Sequence, residues 1–154
     1  MNEIPIRVSR AGRRRGLVLI WGAQLLSLAF LFFLTYVVRP DARPTDNDHT
    51  LAWTLGAVGF TTFLASFLVK RKLLAQAAAK GRADLGTTAY VLAFAMCELT
   101  AVLGFLAYVL TGLSYALHSF IIAAVGLSLH FPPRDALEGI EAHDASANLN
   151  KTTL

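Results

Sequence analysis

The sequence predicts an all-α fold: an integral membrane bundle of four transmembrane helices, with the N and C termini cytoplasmic. Three observations predict it. Charged residues make up 16% of the 154 positions, against about 25% in an ordinary soluble domain. The charge is also sequestered, because no Asp, Glu, Lys or Arg falls within 17–38, 50–69 or 111–131. Each of those stretches is near the ~20 residues a helix needs to cross ~30 Å of hydrocarbon. Finally, Lys and Arg are distributed unevenly between the connections: five in 1–16, two in 39–49, five in 70–86 and none in the turn near 112. Lys and Arg are retained on the cytoplasmic side, which places both ends and the central connection there.

The elements follow in order. Residues 1–16 form a basic cytoplasmic arm in which Arg13, Arg14 and Arg15 set topology and attract anionic headgroups. The first helix is expected over 17–38, with Trp21 and Tyr36 near its two interfaces. At 22 apolar residues it exceeds the ~7–15 of a signal-peptide core, and Val37-Val38-Arg39-Pro40 offers no small-residue cleavage pattern. It therefore reads as a retained anchor. A polar outer loop with Asp41, Asp46, Asp48 and His49 leads to the second helix, 50–69. Lys70, Arg71 and Lys72 mark its cytoplasmic exit. The alanine-rich 73–80 should stay helical beyond the membrane and stop at Gly81. The third helix is expected over 87–110, and a tight turn joins it to the fourth, 111–131, which Pro132-Pro133 ends. Residues 132–154 read as a polar cytoplasmic tail, partly disordered. Within it, Ala136, Leu137 and Ile140 set against Asp135, Glu138 and Glu141 allow a short amphipathic helix. Phe33–Val38 is similar to Phe105–Leu110, and Leu51–Leu55 to Leu113–Leu117. Two parallel copies of one hairpin would explain that; so would the shared composition of apolar helices.

Composition removes several function classes. A single cysteine, Cys97, permits no intrachain disulfide and no cysteine-rich metal site. The net charge of +4 is carried by residues flanking the spans, so the bilayer is the expected partner and nucleic acid is not. No phosphate-binding glycine loop, Cys-x-x-Cys or histidine-rich cluster occurs, and the spans have serines but no histidine and acid placed to activate one. No cofactor, no metal site and no enzymatic activity are expected.

Glu98 is the one charged side-chain type inside a span. It lies ten residues past Thr88, about 15 Å along the helix and close to the bilayer midplane. An ionised carboxylate costs at least ~2.5–3.5 kcal/mol there, so a neutral side chain is expected. One reading is a proton or cation site that loads and unloads. The other is an interhelical hydrogen bond of about 0.6 kcal/mol. Ser27, Thr61 and Thr62 are the candidate partners at that depth.

The run Ala95-Met96-Cys97-Glu98-Leu99-Thr100-Ala101-Val102-Leu103-Gly104-Phe105-Leu106 resembles the carboxylate helix of the rotary ATPase c subunit, or proteolipid. Glu98 and Gly104 match that helix's acid and the glycine about six residues after it. The resemblance covers about 20 residues and implies proton binding at Glu98 and, beyond it, assembly into a ring.

Small residues recur at four-residue spacing in Ala57, Thr61 and Ala65 on the second helix and in Ala93, Cys97 and Ala101 on the third. They are expected to pack inside the bundle, or else to dock another membrane protein or a second copy. The remaining candidates are slight. Asp46, Asp48 and His49 read as a solvated loop before a cation site. His118 could relay to Glu98 only through water. Gln24 should satisfy a neighbour, and the sequon Asn150-Lys151-Thr152 lies on the cytoplasmic side. The functional expectation is an accessory or assembly component of a bacterial inner membrane, acting through helix packing; the alternative is a proton-binding transport component built on Glu98.

Overall fold

A computed structural model describes residues 10–38 and 45–132. Expectations for the start of the arm, part of the outer loop and the tail after Pro132 lie outside the described residues. Four α-helices follow one another: α1 Arg10–Val37, α2 Asp46–Lys80, α3 Ala83–Thr111 and α4 His118–Leu129, with one turn of 3-10 helix at Ser114–Leu117 before α4. No strand occurs among the described residues. Three of the helices are long and apolar enough to cross a membrane.

The boundaries differ from expectation where helix propensity or a glycine decides. α1 begins at Arg10 rather than at residue 17, because arginine is a good helix former and the helix continues back into the basic arm. α2 runs through the alanine-rich segment, as expected, for 35 residues, about 52 Å. Gly81 ends it at φ 60°, and the amide of Arg82 donates to Ala77 O at 3.0 Å; only glycine takes that left-handed geometry cheaply. Gly112 ends α3 in the same way at φ 69°, its amide donating to Tyr108 O at 2.8 Å. The fourth apolar segment is shorter than expected. Thr111 belongs to α3, and the helical part runs only from Ser114 to Leu129. One 3-10 turn and 12 α-helical residues rise about 26 Å together.

α2, α3 and α4 mesh through small residues. Ala52, Gly59 and Ser66 are buried at seven-residue spacing along α2. The Thr100 hydroxyl donates to Gly59 O at 3.0 Å. A β-carbon on Gly104 would lie 2.9 Å from Ser119 Oγ and 3.0 Å from Ala116 O. One on Gly126 would lie 2.7 Å from Cys97 Sγ. These backbones approach so closely because no side chain separates them. Ala93, Cys97 and Ala101 are fully buried in this core beside Phe94.

The small-residue face expected on α2 is corrected. Ala57 and Thr61 are exposed and Ala65 is half-buried. Ala57 and Thr61 each lie two residues from buried Gly59, about 200° around the helix, so this stripe points outward.

α1 attaches with large side chains instead. It packs against α3 and α4 and makes no comparable contact with α2. Leu17 and Leu28 are buried, and Trp21, Leu25 and Leu31 pack around them. Leu19, Leu26, Phe30 and Phe33 face outward. Because α3 packs against α4 while α1 scarcely meets α2, the two halves are not copies of one packed hairpin.

Candidate functional site

Among the described residues the apolar bundle holds one polar cluster midway along it and another at its basic end. The first is built on Glu98. On α3, Glu98 stands half-buried between the buried face of Phe94, Cys97 and Ala101 and the exposed face of Ala95, Leu99 and Val102. Ser27 Oγ on α1 donates to Glu98 Oε1 at 2.5 Å, so this expected partner is in place. A hydroxyl can donate to a carboxylate or accept from a carboxylic acid. The contact therefore tolerates both protonation states.

The other expected partners are elsewhere. Thr61 donates to Ala57 O and Thr62 to Val58 O at 2.8 Å. Both hydroxyls are taken up by their own helix, a habit of Ser and Thr in apolar helices. Gln24 Oε1 is buried without a hydrogen-bond partner among the described residues, contrary to the expectation that it satisfies a neighbour. His118 is exposed, and its Nδ1 lies 2.7 Å from Tyr115 O in its own 3-10 turn. Its ring is committed locally.

The second cluster was not anticipated. His130, just beyond the end of α4, is fully buried. Its Nε2 lies 2.9 Å from Ser66 Oγ and its Nδ1 lies 3.4 Å from Lys70 Nζ, both on α2. Ser66 Oγ also donates to Phe63 O at 2.6 Å, and Cys97 Sγ on α3 lies 4.0 Å from it. Lys70 Nζ sits 4.4 Å above the Tyr90 ring, a favourable cation–π position. The Phe67 and His130 rings are 4.4 Å apart.

These contacts allow one proton arrangement with charged Lys70. An ammonium only donates, so Nδ1 accepts; the single imidazole proton is then on Nε2 and goes to Ser66, whose own proton goes to Phe63 O. Burial first, and the Lys70 charge second, push the His130 imidazole down to about 4. This wiring is the reverse of a catalytic dyad. Activating Ser66 needs a bare Nε2 and an acid opposite Nδ1, whereas Nε2 is protonated and a cation stands at Nδ1. Ser66 and His130 meet, with no acid beside them among the described residues. The signal was present in the four-residue spacing of Ser66 and Lys70 on one face of α2, but Lys70 was read only as a topology marker.

Of the other basic residues, Arg15, Arg71 and Lys72 are exposed, and Arg14 is half-buried. Trp21 Nε1 of α1 donates to Leu127 O at 2.8 Å, and its ring meets Phe131 edge-on at 5.1 Å. The start of α1, Lys70 and the end of α4 thus share one end of the bundle. At the other end the His49 and Tyr115 rings stack at 6.1 Å. There Asp48 accepts from both Thr45 N and Thr45 Oγ1, each at 2.7 Å, closing the first turn of α2. Among the described residues no group of three or more His, Cys, Asp or Glu is placed to hold a metal ion. No protein-family model, no curated protein and no solved structure matches this chain.

Proposed function

We propose that this chain is a multi-pass protein of a bacterial inner membrane, with four membrane-crossing helices and both termini cytoplasmic. It acts without catalysis, as an accessory or assembly component, through helix packing. The Ser27–Glu98 hydrogen bond carries this reading. It ties the peripheral α1 to the central α3, and it can persist whether or not the carboxyl carries a proton. Both residues behind the c-subunit resemblance have a packing task within the chain: Glu98 holds α1, and Gly104 admits Ser119 of the α4 segment. Ala57 and Thr61, exposed, with half-buried Ala65 beside them, offer the face for another membrane protein or a second copy. The orientation is supported by the basic residues gathered at the end that also holds Trp21 and His130.

The test is Glu98→Gln, which keeps hydrogen bonding and removes titration, beside Glu98→Leu, which removes both. Crosslinked species recovered from membranes should be unchanged in Glu98→Gln and diminished in Glu98→Leu. A second reading, a proton- or cation-binding transport component, is favoured by the position of Glu98 at the edge of the lipid-exposed face of α3. It predicts normal assembly with loss of the cellular phenotype in Glu98→Gln, an outcome that would displace the packing reading.

A further inference from the structure

Residues 126–132 form a lid over the only cysteine. Gly126 packs directly against Cys97, so close that a β-carbon would sit 2.7 Å from Sγ. Ser66, 4.0 Å from that sulfur, is closed off by His130. Cys97, Leu127 and His130 are each 0% exposed. The lid is held by the Trp21 bond to Leu127 O, by the tilted contact of the Phe67 and His130 rings and by the two imidazole contacts.

We propose that this inner end of α4 is a proton-operated latch. A second proton on His130 removes Nδ1 as an acceptor, sets an imidazolium against the Lys70 ammonium, and lifts residues 126–132 off Ser66 and Cys97. The groups facing His130 leave no other relief. α2 presents Lys70, Ser66 and Phe67. α3 presents the Cys97 thiol behind Ser66, and the Tyr90 ring lies under Lys70. α1 presents Trp21 to the lid, with Arg14 two turns further toward its start. The described charge in contact with the ring is therefore positive; Asp84, a described carboxylate in the first turn of α3, is paired with Arg82, and no described carboxylate bonds to the ring. An imidazolium in place would be buried beside a like charge without compensation, the costliest arrangement for a charged group. Undocking lets both cations reach water or headgroups.

Cys97 is the reporter. The full chain in lipid nanodiscs is treated with dithiodipyridine, a thiol reagent that remains reactive in acid. The labelling rate should rise at least ~tenfold as pH falls from about 7 to about 4. In His130→Gln it should stay at the neutral wild-type rate throughout. A flat wild-type profile, or an equal rise in both proteins, would overturn the latch. The imidazole nitrogen NMR spectrum of His130 at neutral pH, recorded with His49, His118 and His143 replaced by Gln, decides the same point if His130→Gln does not fold. The proton is expected on Nε2 with Nδ1 bare; a proton on Nδ1 would refute the wiring on which the latch depends.

Discussion

Ser27 and Glu98 show what one side chain can tell in advance. The depth and solitude of Glu98 are properties of the sequence, and so was the need for a partner on another helix. Ser27 met that need. Thr61 and Thr62, at similar depth, did not, because a helical threonine reaches its own carbonyl four residues back at no cost in chain order. Depth can be counted along a chain, but the rotation of each helix cannot. Ser27→Ala is expected to lower stability by about 0.6 kcal/mol. In a double-mutant cycle with Glu98→Ala, the two losses should not add, because each removes the same bond; unfolding in mixed detergent reads both. His130 gives the pH dependence. Its imidazole is depressed in the folded chain, so the neutral form is favoured by folding. The stability it confers is present above the unfolded value of about 6.5 and is lost as pH falls from there toward about 4. The acid limb of the unfolding midpoint should flatten in His130→Gln.

Helix existence was legible element by element, from the charge-free runs, the glycine stop at Gly81 and the tight turn before the fourth segment. Helix ends were less so. α1 extends back to Arg10 and the fourth segment contracts to Ser114–Leu129, because arginines continue a helix outside hydrocarbon while a 3-10 turn uses up apolar residues. On α3, Ala93, Cys97 and Ala101 are buried. The equivalent stripe on α2 was read as packed inside the bundle or else as a docking face, and its Ala57 and Thr61 are exposed while Ala65 is half-buried. A four-residue repeat defines a face without saying which way it points, and the buried seam is the seven-residue series Ala52, Gly59 and Ser66. The tight glycines follow from that seam. Gly104→Ala and Gly126→Ala push a β-carbon into Ser119 and Cys97, and each should destabilise by about 1–3 kcal/mol as overpacking does. Gly22→Ala and Gly56→Ala meet nothing within 4 Å and should be neutral or stabilising by up to ~1 kcal/mol. Equal losses at all four positions would mean the helices cross elsewhere.

At the scale of the molecule, α2, α3 and α4 form a close-packed trio held by small residues, and α1 is fastened to it by Trp21, Ser27 and aromatic edges. The sequence supplied the number and order of the helices but not this inequality, since hydrophobicity alone does not distinguish a core helix from a peripheral one. Orientation is open to a direct check. A cysteine placed at Asn47 should react with an impermeant reagent applied to intact cells, and one at Lys72 should react only after lysis; the reverse pattern would invert the topology. The packing role of Glu98 is tested most directly by the unfolding midpoint in mixed detergent of the wild type, Glu98→Gln and Glu98→Leu. Glu98→Gln is expected to match the wild type and Glu98→Leu to fall below it, with Glu98 held on Ser27 as a hydrogen-bonded strut between α1 and α3. Equal midpoints in all three proteins would contradict that role.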